Sequence, residues 1–289
     1  MIKNWLITGD THGFVISRLR NIDTKVYSPE ETAVIILGDM GLNFYLNNSD
    51  TKNKQAVNDT HFHIYAVRGN HEARPENLGM TQLWDTYVKG AIYYEPEFPY
   101  IRYLIDGEEY EIEGHSVLVI GGAYSVDKWY RLLRAGYSEK DALQADPKRC
   151  GWFKDEQLTA EEMKAIEDKC IGHSYDFIFA HTCPLSWEPI DLFLRGVDQS
   201  KVDNSMEVWL DSFKSKVDWK IFLWGHFHDD RIERPHCEMF YQEIEELNHI
   251  WNRWYGEKTF ENEWWLNKSP NFYLDDNPYV SDYNKKETN

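Results

Sequence analysis

Five short stretches of this chain end in residues that hold cations or move protons. They are Asp10-Thr11-His12, Gly38-Asp39, Gly69-Asn70-His71-Glu72, His181 and Gly225-His226-Phe227-His228. Asn offers a cation a neutral carbonyl oxygen and Asp a charged one, while His offers a lone pair or, near neutral pH, a proton. The set is oxygen and nitrogen without thiolate, which points to a hard or borderline ion rather than a structural zinc site. Asp10, His12, Asp39, Asn70, His71, His181, His226 and His228 are more than one tetrahedral ion requires. Two ions about 3.5–4 Å apart, bridged by one carboxylate, would use them all.

Each stretch follows an apolar run. Residues 5–8, 33–37, 61–67, 177–180 and 221–224 read as strands, continuously apolar, as in a sheet covered on both faces. In such sheets ligands collect beyond the carboxyl ends of the strands. A short helix is expected after Gly13 and a surface helix over 47–60. Residues 101–104, 110–112 and 117–120 read as hairpin strands around Asp106-Gly107 and Glu113-Gly114, hence a partly antiparallel second sheet. Thr159 and Glu162 predict a capping box for a helix bearing Met163, Ile166 and Cys170. Phe240, Ile244, Leu247, Trp251 and Trp254 recur at helical spacing, with Gly256 as the stop. The organisation expected is one domain over 1–256 and an aromatic extension over 257–289 that packs back, its last residues frayed.

Composition narrows the function. With 31 basic and 49 acidic residues the net charge is −18, which repels a phosphate backbone and argues against stable nucleic-acid binding. A phosphorylated substrate remains open, because divalent cations reverse the potential locally. Four dispersed cysteines without a CxxC predict reduced thiols. No leader precedes Asp10 and no apolar run approaches the ~18 residues of a membrane span, so a cytoplasmic protein without membrane association is expected.

The ordered motifs resemble the calcineurin-like metallophosphoesterases over roughly residues 2–231. That resemblance implies an α/β fold, a four-layer α/β/β/α sandwich with two central mixed β-sheets. It implies that Asp10, His12 and His228 hold one ion, that Asn70, His181 and His226 hold a second, and that Asp39 bridges them. His71 would donate a proton to the leaving alkoxide. The cofactor would be two divalent ions (Mn, Fe, Zn, Ni or Mg, with Mn first). The reaction would be hydrolysis of a phosphomonoester or phosphodiester by metal-bound hydroxide, on a phosphorylated small molecule, a nucleotide or a phosphoprotein. In the family's Ser/Thr protein phosphatases the second motif runs Gly-Asp-x-x-Asp-Arg-Gly. Here Leu42 replaces the acidic residue that orients the histidine, and Asn43 replaces the phosphate-gripping arginine. Lys128 and Arg131, after Gly121-Gly122-Ala123-Tyr124-Ser125, are the nearest substitutes for substrate binding.

Other readings use the same residues. A phosphoesterase-like fold kept as an interaction platform with weak catalysis, or a metallonuclease, shares the site. A single Asp or His after a strand is usually a turn or cap residue. On that basis His61 and His63 are expected at the surface, His115 and His173 in loops, and His236-Cys237 as an exposed pair. Cys183 is expected as a packed thiol and Glu72 as a cap or orienting group.

Overall fold

The computed structural model describes residues 1–256, so the extension expected over 257–289 lies outside the described residues. The strands in chain order are β1 (Asn4–Thr8), β2 (Thr32–Ile36), β3 (His63–Ala66), β4 (Thr81–Asp85), β5 (Gly90–Tyr94), β6 (Ile101–Leu104) and β7 (Glu109–Ile112). They continue with β8 (His115–Ile120), β9 (Ser174–Ala180), β10 (Asp218–Trp224), β11 (Arg231–Arg234), β12 (Cys237–Met239) and β13 (Ile244–Glu246). The helices are α1 (Val15–Leu19), α2 (Asn48–Asn58), α3 (Lys128–Arg134), α4 (Pro147–Cys150), α5 (Ala160–Cys170), α6 (Ser205–Phe213) and α7 (Leu247–Tyr255).

Two mixed sheets form, in the orders β13-β1-β2-β3-β6-β5-β4 and β11-β12-β10-β9-β8-β7. Within them β1, β2, β3 and β6 run parallel, as do β8, β9, β10 and β12. Successive side chains of a strand point to opposite faces, and the packing follows that period. Trp5, Ile7, Ile35 and Tyr65 meet Val117, Val119, Phe177, Phe179 and Ile221 between the sheets. Their neighbours Leu6, Val34, Ile36 and Ile64 pack outward with Val15, Leu19 and Val57 of α1 and α2. Leu118, Ile178, Phe222 and Trp224 pack outward with Met163 and Ile166 of α5 and Met206 and Leu210 of α6. The result is the four-layer α/β/β/α sandwich. Burial on both faces is why the central runs of these strands are continuously apolar, and each such side chain contributes roughly 1.5–3 kcal/mol.

The capping box of α5 is present: Glu162 N donates to Thr159 Oγ1 at 3.2 Å, and Thr159 N to Glu162 Oε2 at 2.7 Å. Several expectations are corrected. The helical period from Phe240 is not a single helix, because Ile244–Glu246 is β13, antiparallel to β1, and α7 begins only at Leu247. Asp230 takes the amides of Tyr241, Gln242 and Glu243 at 2.6, 2.8 and 3.0 Å, holding that backbone in a loop. Glu113-Gly114 does turn a hairpin between β7 and β8, but Asp106-Gly107 carries the chain from one sheet to the other. The hairpin partner of β6 is β5, missed because both β4 and β5 are short, β4 is largely polar or exposed, and β5 is only partly buried.

The bland histidines also redistribute. His63 is buried at the start of β3 between Tyr87 and Tyr100, its imidazolium disfavoured by burial and by Arg102, so that it titrates at about 4. His115 begins β8 against Trp251. Cys237 is fully buried in β12, while His236 stacks on Trp254.

Candidate metal centre

The parallel strands of both sheets deliver their carboxyl ends to one edge. Leu37 N donates to Thr8 O at 3.0 Å and Val67 N to Ile36 O at 2.9 Å, which carries the first ladder just past the strands. His181 N donates to Ile120 O and Gly225 N to His181 O, each at 3.1 Å, doing the same in the second. Asp10 stitches the two rows together, and Asp39 ties neighbouring loops of the first row. His226 N donates to Asp10 Oδ1 at 2.9 Å, and His71 N donates to Asp39 Oδ1 at 2.7 Å. The loop after β1 hangs on the loop after β2 through His12 N to Asp39 O at 2.8 Å and Gly13 N to Met40 O at 2.9 Å.

Such convergence needs backbone without side chains at two places. A Cβ on Gly69 would lie 2.0 Å from Asp39 Oδ1, and one on Gly225 would lie 2.4 Å from Asp10 Oδ1. The site also carries backbone strain. Of the nine non-glycine residues with positive φ among the described residues, four are His12, Asp39, His226 and His228. Left-handed non-glycine residues of this kind cost on the order of 1–3 kcal/mol each and persist where the surroundings over-determine them.

Ligand-type atoms gather into two groups. Asp10, His12 and His228 form one, and Asp10, Asp39 and His181 the other, with the donor atoms of each group within 4.8 Å of one another. His12 Nε2 and His228 Nε2 are 2.8 Å apart, and Asp10 Oδ2 is 3.2 Å from the latter. In the second group His181 Nδ1 donates to Leu37 O at 2.9 Å, so the neutral ring carries its lone pair on Nε2. That lone pair faces Asn70 Oδ1 at 2.8 Å. With the ring neutral these two acceptors repel each other, and a cation held between their lone pairs relieves the repulsion. The donor set therefore fits divalent ions. His226 lies beside His181, ring centroids 5.0 Å apart. His71 flanks the groups without joining them, its Nε2 4.0 Å from Asp39 Oδ2 and its Nδ1 buried without a partner.

The electrostatics suit cation binding. Asp10 and Asp39 are each 1% exposed. Burial raises both carboxyls, but contact with His228 at Asp10, and the charges of His71, His181 and His12 at Asp39, bring both below the ordinary carboxylate range. Burial drives the His226 imidazole well below its ordinary pKa and so keeps its lone pair available. His228 is raised, chiefly by its bond to Asp10.

The family model for the calcineurin-like phosphoesterases matches residues 4–230. The chain belongs to that family. A comparison with curated proteins returned no match. Phosphoesterases of this family bind divalent metals, in agreement with the two ligand groups. In this chain Leu42 is fully buried and Asn43 is 1% exposed, so the loop after Asp39 presents neither an orienting acid nor a cation. Arg68 is no substitute: its guanidinium is spent on Asp106, Glu156 O and Gly121 O. Arg131 lies over the Phe44 ring, and Phe44 in turn meets His71 edge-on. The Arg131 Nε bonds Asp127 at 2.6 Å and Nη1 bonds Gly151 O at 3.1 Å. Burial, with the Arg131 charge nearby, lowers the His71 pKa, partly offset by Asp39. Lys128 points its ammonium over Trp152, Trp129 and Tyr124, at 4.5, 5.1 and 5.5 Å from the ring centroids.

Several residues bear on the site without having been singled out from sequence. Arg18 clamps Asp10 O at 3.1 Å and also bonds Thr8 Oγ1 and Tyr241 O. Tyr241 stacks on His228 at 4.8 Å with a 22° tilt. Ser125 and Glu156 lie under Asn70. Of these only Ser125 left a signal, closing the glycine-rich turn after a strand.

Behind His181, Thr182 Oγ1 donates to Glu207 Oε1 at 2.8 Å. Burial pushes Glu207 up to about 7, and burial together with the Glu207 and Asp211 charges pushes Glu188 up to about 8. Both folded-state values exceed the 4.5 of a free Glu, so the folded protein binds more protons than the unfolded chain between those limits. Stability from these groups is therefore full at low pH and lost as pH rises towards 8. Metal-free protein is expected to melt at lower temperature at about pH 8.5 than at about pH 6.5, and Glu188→Gln is expected to flatten that slope. Thermal unfolding followed by circular dichroism checks it; an unchanged slope in the variant removes Glu188 as its source.

Proposed function

We propose that this protein is a dinuclear metal-dependent phosphoesterase that hydrolyses a phosphomonoester or phosphodiester. The observation that carries the reading is the meeting of His181 Nε2 with Asn70 Oδ1, and of His12 Nε2 with His228 Nε2, beside two buried carboxylates. In this reading Asp10, His12 and His228 hold the first ion, Asn70, His181 and His226 the second, and Asp39 is shared. Manganese is the first choice, with Fe, Zn, Ni or Mg as the other candidates. When bound, such a pair supplies Lewis acidity to the phosphoryl group and makes water acidic near neutral pH.

The chain's own residues do the rest. Asp10 and Asp39 hold the backbones of His226 and His71 in place, and so orient both strand ends. His71, near the ligands but outside both groups, gives the proton of Nε2 to the departing alkoxide as the ester P–O bond breaks. Arg131, anchored by Asp127 and Gly151, acts on His71 through its charge and takes the substrate phosphate in place of the arginine absent at Asn43. Lys128 adds positive charge at longer range. The substrate is a phosphorylated small molecule, a nucleotide or a phosphoprotein. Four buried free cysteines accord with a cytoplasmic setting, and among the described residues no helix is long and apolar enough to cross a membrane.

The test is metal-dependent turnover. Chelator-stripped protein should be inert toward 4-nitrophenyl phosphate, regain activity with manganese, and carry about two ions per chain by elemental analysis. Full turnover by the stripped protein would overturn the reading, and so would failure of every divalent metal to bind.

A further inference from the structure

We infer that Ser125 and Glu156 are positioning residues that decide which end of the Asn70 amide faces the metal centre. The inference rests on the proposal that Asn70 is a ligand. An Asn side chain presents an oxygen acceptor on one side and an NH2 donor on the other, at nearly equal size. Only the oxygen can bind a cation, so a site using Asn requires something to break that symmetry.

Here the hydrogen-bond directions are forced one after another. Ser125 N donates to Glu156 Oε1 at 3.1 Å, and the Ser125 hydroxyl lies 2.6 Å from Glu156 Oε2. Burial pushes Glu156 up to about 7; above that pH the ionised carboxylate accepts on both oxygens, so the hydroxyl proton points to Glu156. A hydroxyl has one proton, and Ser125 Oγ can therefore only accept on its other side. The group it accepts from is Asn70 Nδ2, at 2.8 Å. Asn70 Oδ1 is left facing His181 Nε2. Asn70, Ser125 and Glu156 are 1, 2 and 3% exposed, so no bulk water competes for these bonds.

Glu156→Gln inverts the chain of directions with almost no change of shape. Its oxygen must stay on the Ser125 amide, so its NH2 faces Ser125 Oγ and donates. The hydroxyl proton then turns to Asn70, which accepts only through its carbonyl oxygen, and the NH2 of Asn70 turns to the centre. Ser125→Ala removes the determinant altogether, and Ser125→Thr restores a hydroxyl.

The experiment titrates manganese(II) into the chelator-stripped full-length protein, by calorimetry and by the electron-spin signal of exchange-coupled pairs. Wild type should bind two ions. Glu156→Gln and Ser125→Ala should bind the first ion as wild type does and the second about 10- to 100-fold more weakly, with Ser125→Thr recovering most of the loss. The first ion and the unfolding midpoint report that each variant is folded. If wild type binds two ions and both Glu156→Gln and Ser125→Ala bind the second at wild-type affinity, the inference is overturned while the proposed function stands. If wild type itself never binds a second ion, both fall.

Discussion

Asp39→Asn should abolish metal-stimulated phosphoester hydrolysis, lowering kcat by at least about a thousandfold. Asp39 is buried and accepts the His71 amide through Oδ1, while Oδ2 lies within 3.8–4.0 Å of His12 and His71 ring nitrogens. Among the described residues Asp39 joins Asp10 and His181 in one ligand group, and Asp10 belongs to both groups. An amide can keep the bond to the His71 backbone but cannot supply the negative charge that a shared ligand requires. Asparagine is thus a cleaner test than alanine, which would also orphan a buried N–H at a cost of about 1–3 kcal/mol. Asp10 and Asp39 repel each other across the site. The neighbouring histidines nevertheless hold the Asp39 carboxyl below its ordinary range, so its charge stabilises the fold, and metal-free Asp39→Asn should melt lower than metal-free wild type while being folded and inactive. Steady-state kinetics beside thermal unfolding measures both halves. Wild-type turnover in a variant carrying a full metal complement would remove Asp39 from the mechanism.

His71→Asn should show its effect through the leaving group. A proton donor matters most where the departing alkoxide is strongly basic, and general acid catalysis contributes about 10²–10⁴-fold. Loss of that order is expected for alkyl phosphates. Loss on 4-nitrophenyl phosphate should be much smaller, because its phenolate departs without help. Metal stoichiometry should stay at the wild-type value, since the proposed ligand set does not include His71. Equal slowing of alkyl and aryl esters would show that His71 acts on something other than the leaving group. Leu42 makes the test sharper, because His71 Nδ1 is buried without a partner and the variant breaks no side-chain bond there.

Much of this molecule was legible from local chemistry. Continuous apolar runs can lie only in strands covered on both faces, so runs ending in Asp, Asn or His mark where such strands emerge. That reasoning singled out Asp10, His12, Asp39, His181 and His228, which the fold gathers into two ligand groups, and the two-sheet core. It failed where periodicity and pairing disagree. Ile244 sits on a helical period, yet Glu245 and Glu246 pair with Ile7 and Leu6, because β1 offered an open edge and Asp230 held the preceding backbone out of a helix. His63 looked superficial because nothing in its neighbours announces that Tyr87 and Tyr100 close over it.

The amino-acid sequence by itself determined which residue types arrive at the sheet edge, since hydrophobic period and turn chemistry act over a few neighbouring positions. Only the tertiary structure decided how close two loops come, which lone pair faces which, and that Ser125 and Glu156 stand behind Asn70. Those depend on distances between residues 31 to 216 positions apart. Hydrogen-bond direction is set where such segments meet, and no local pattern along the chain encodes it.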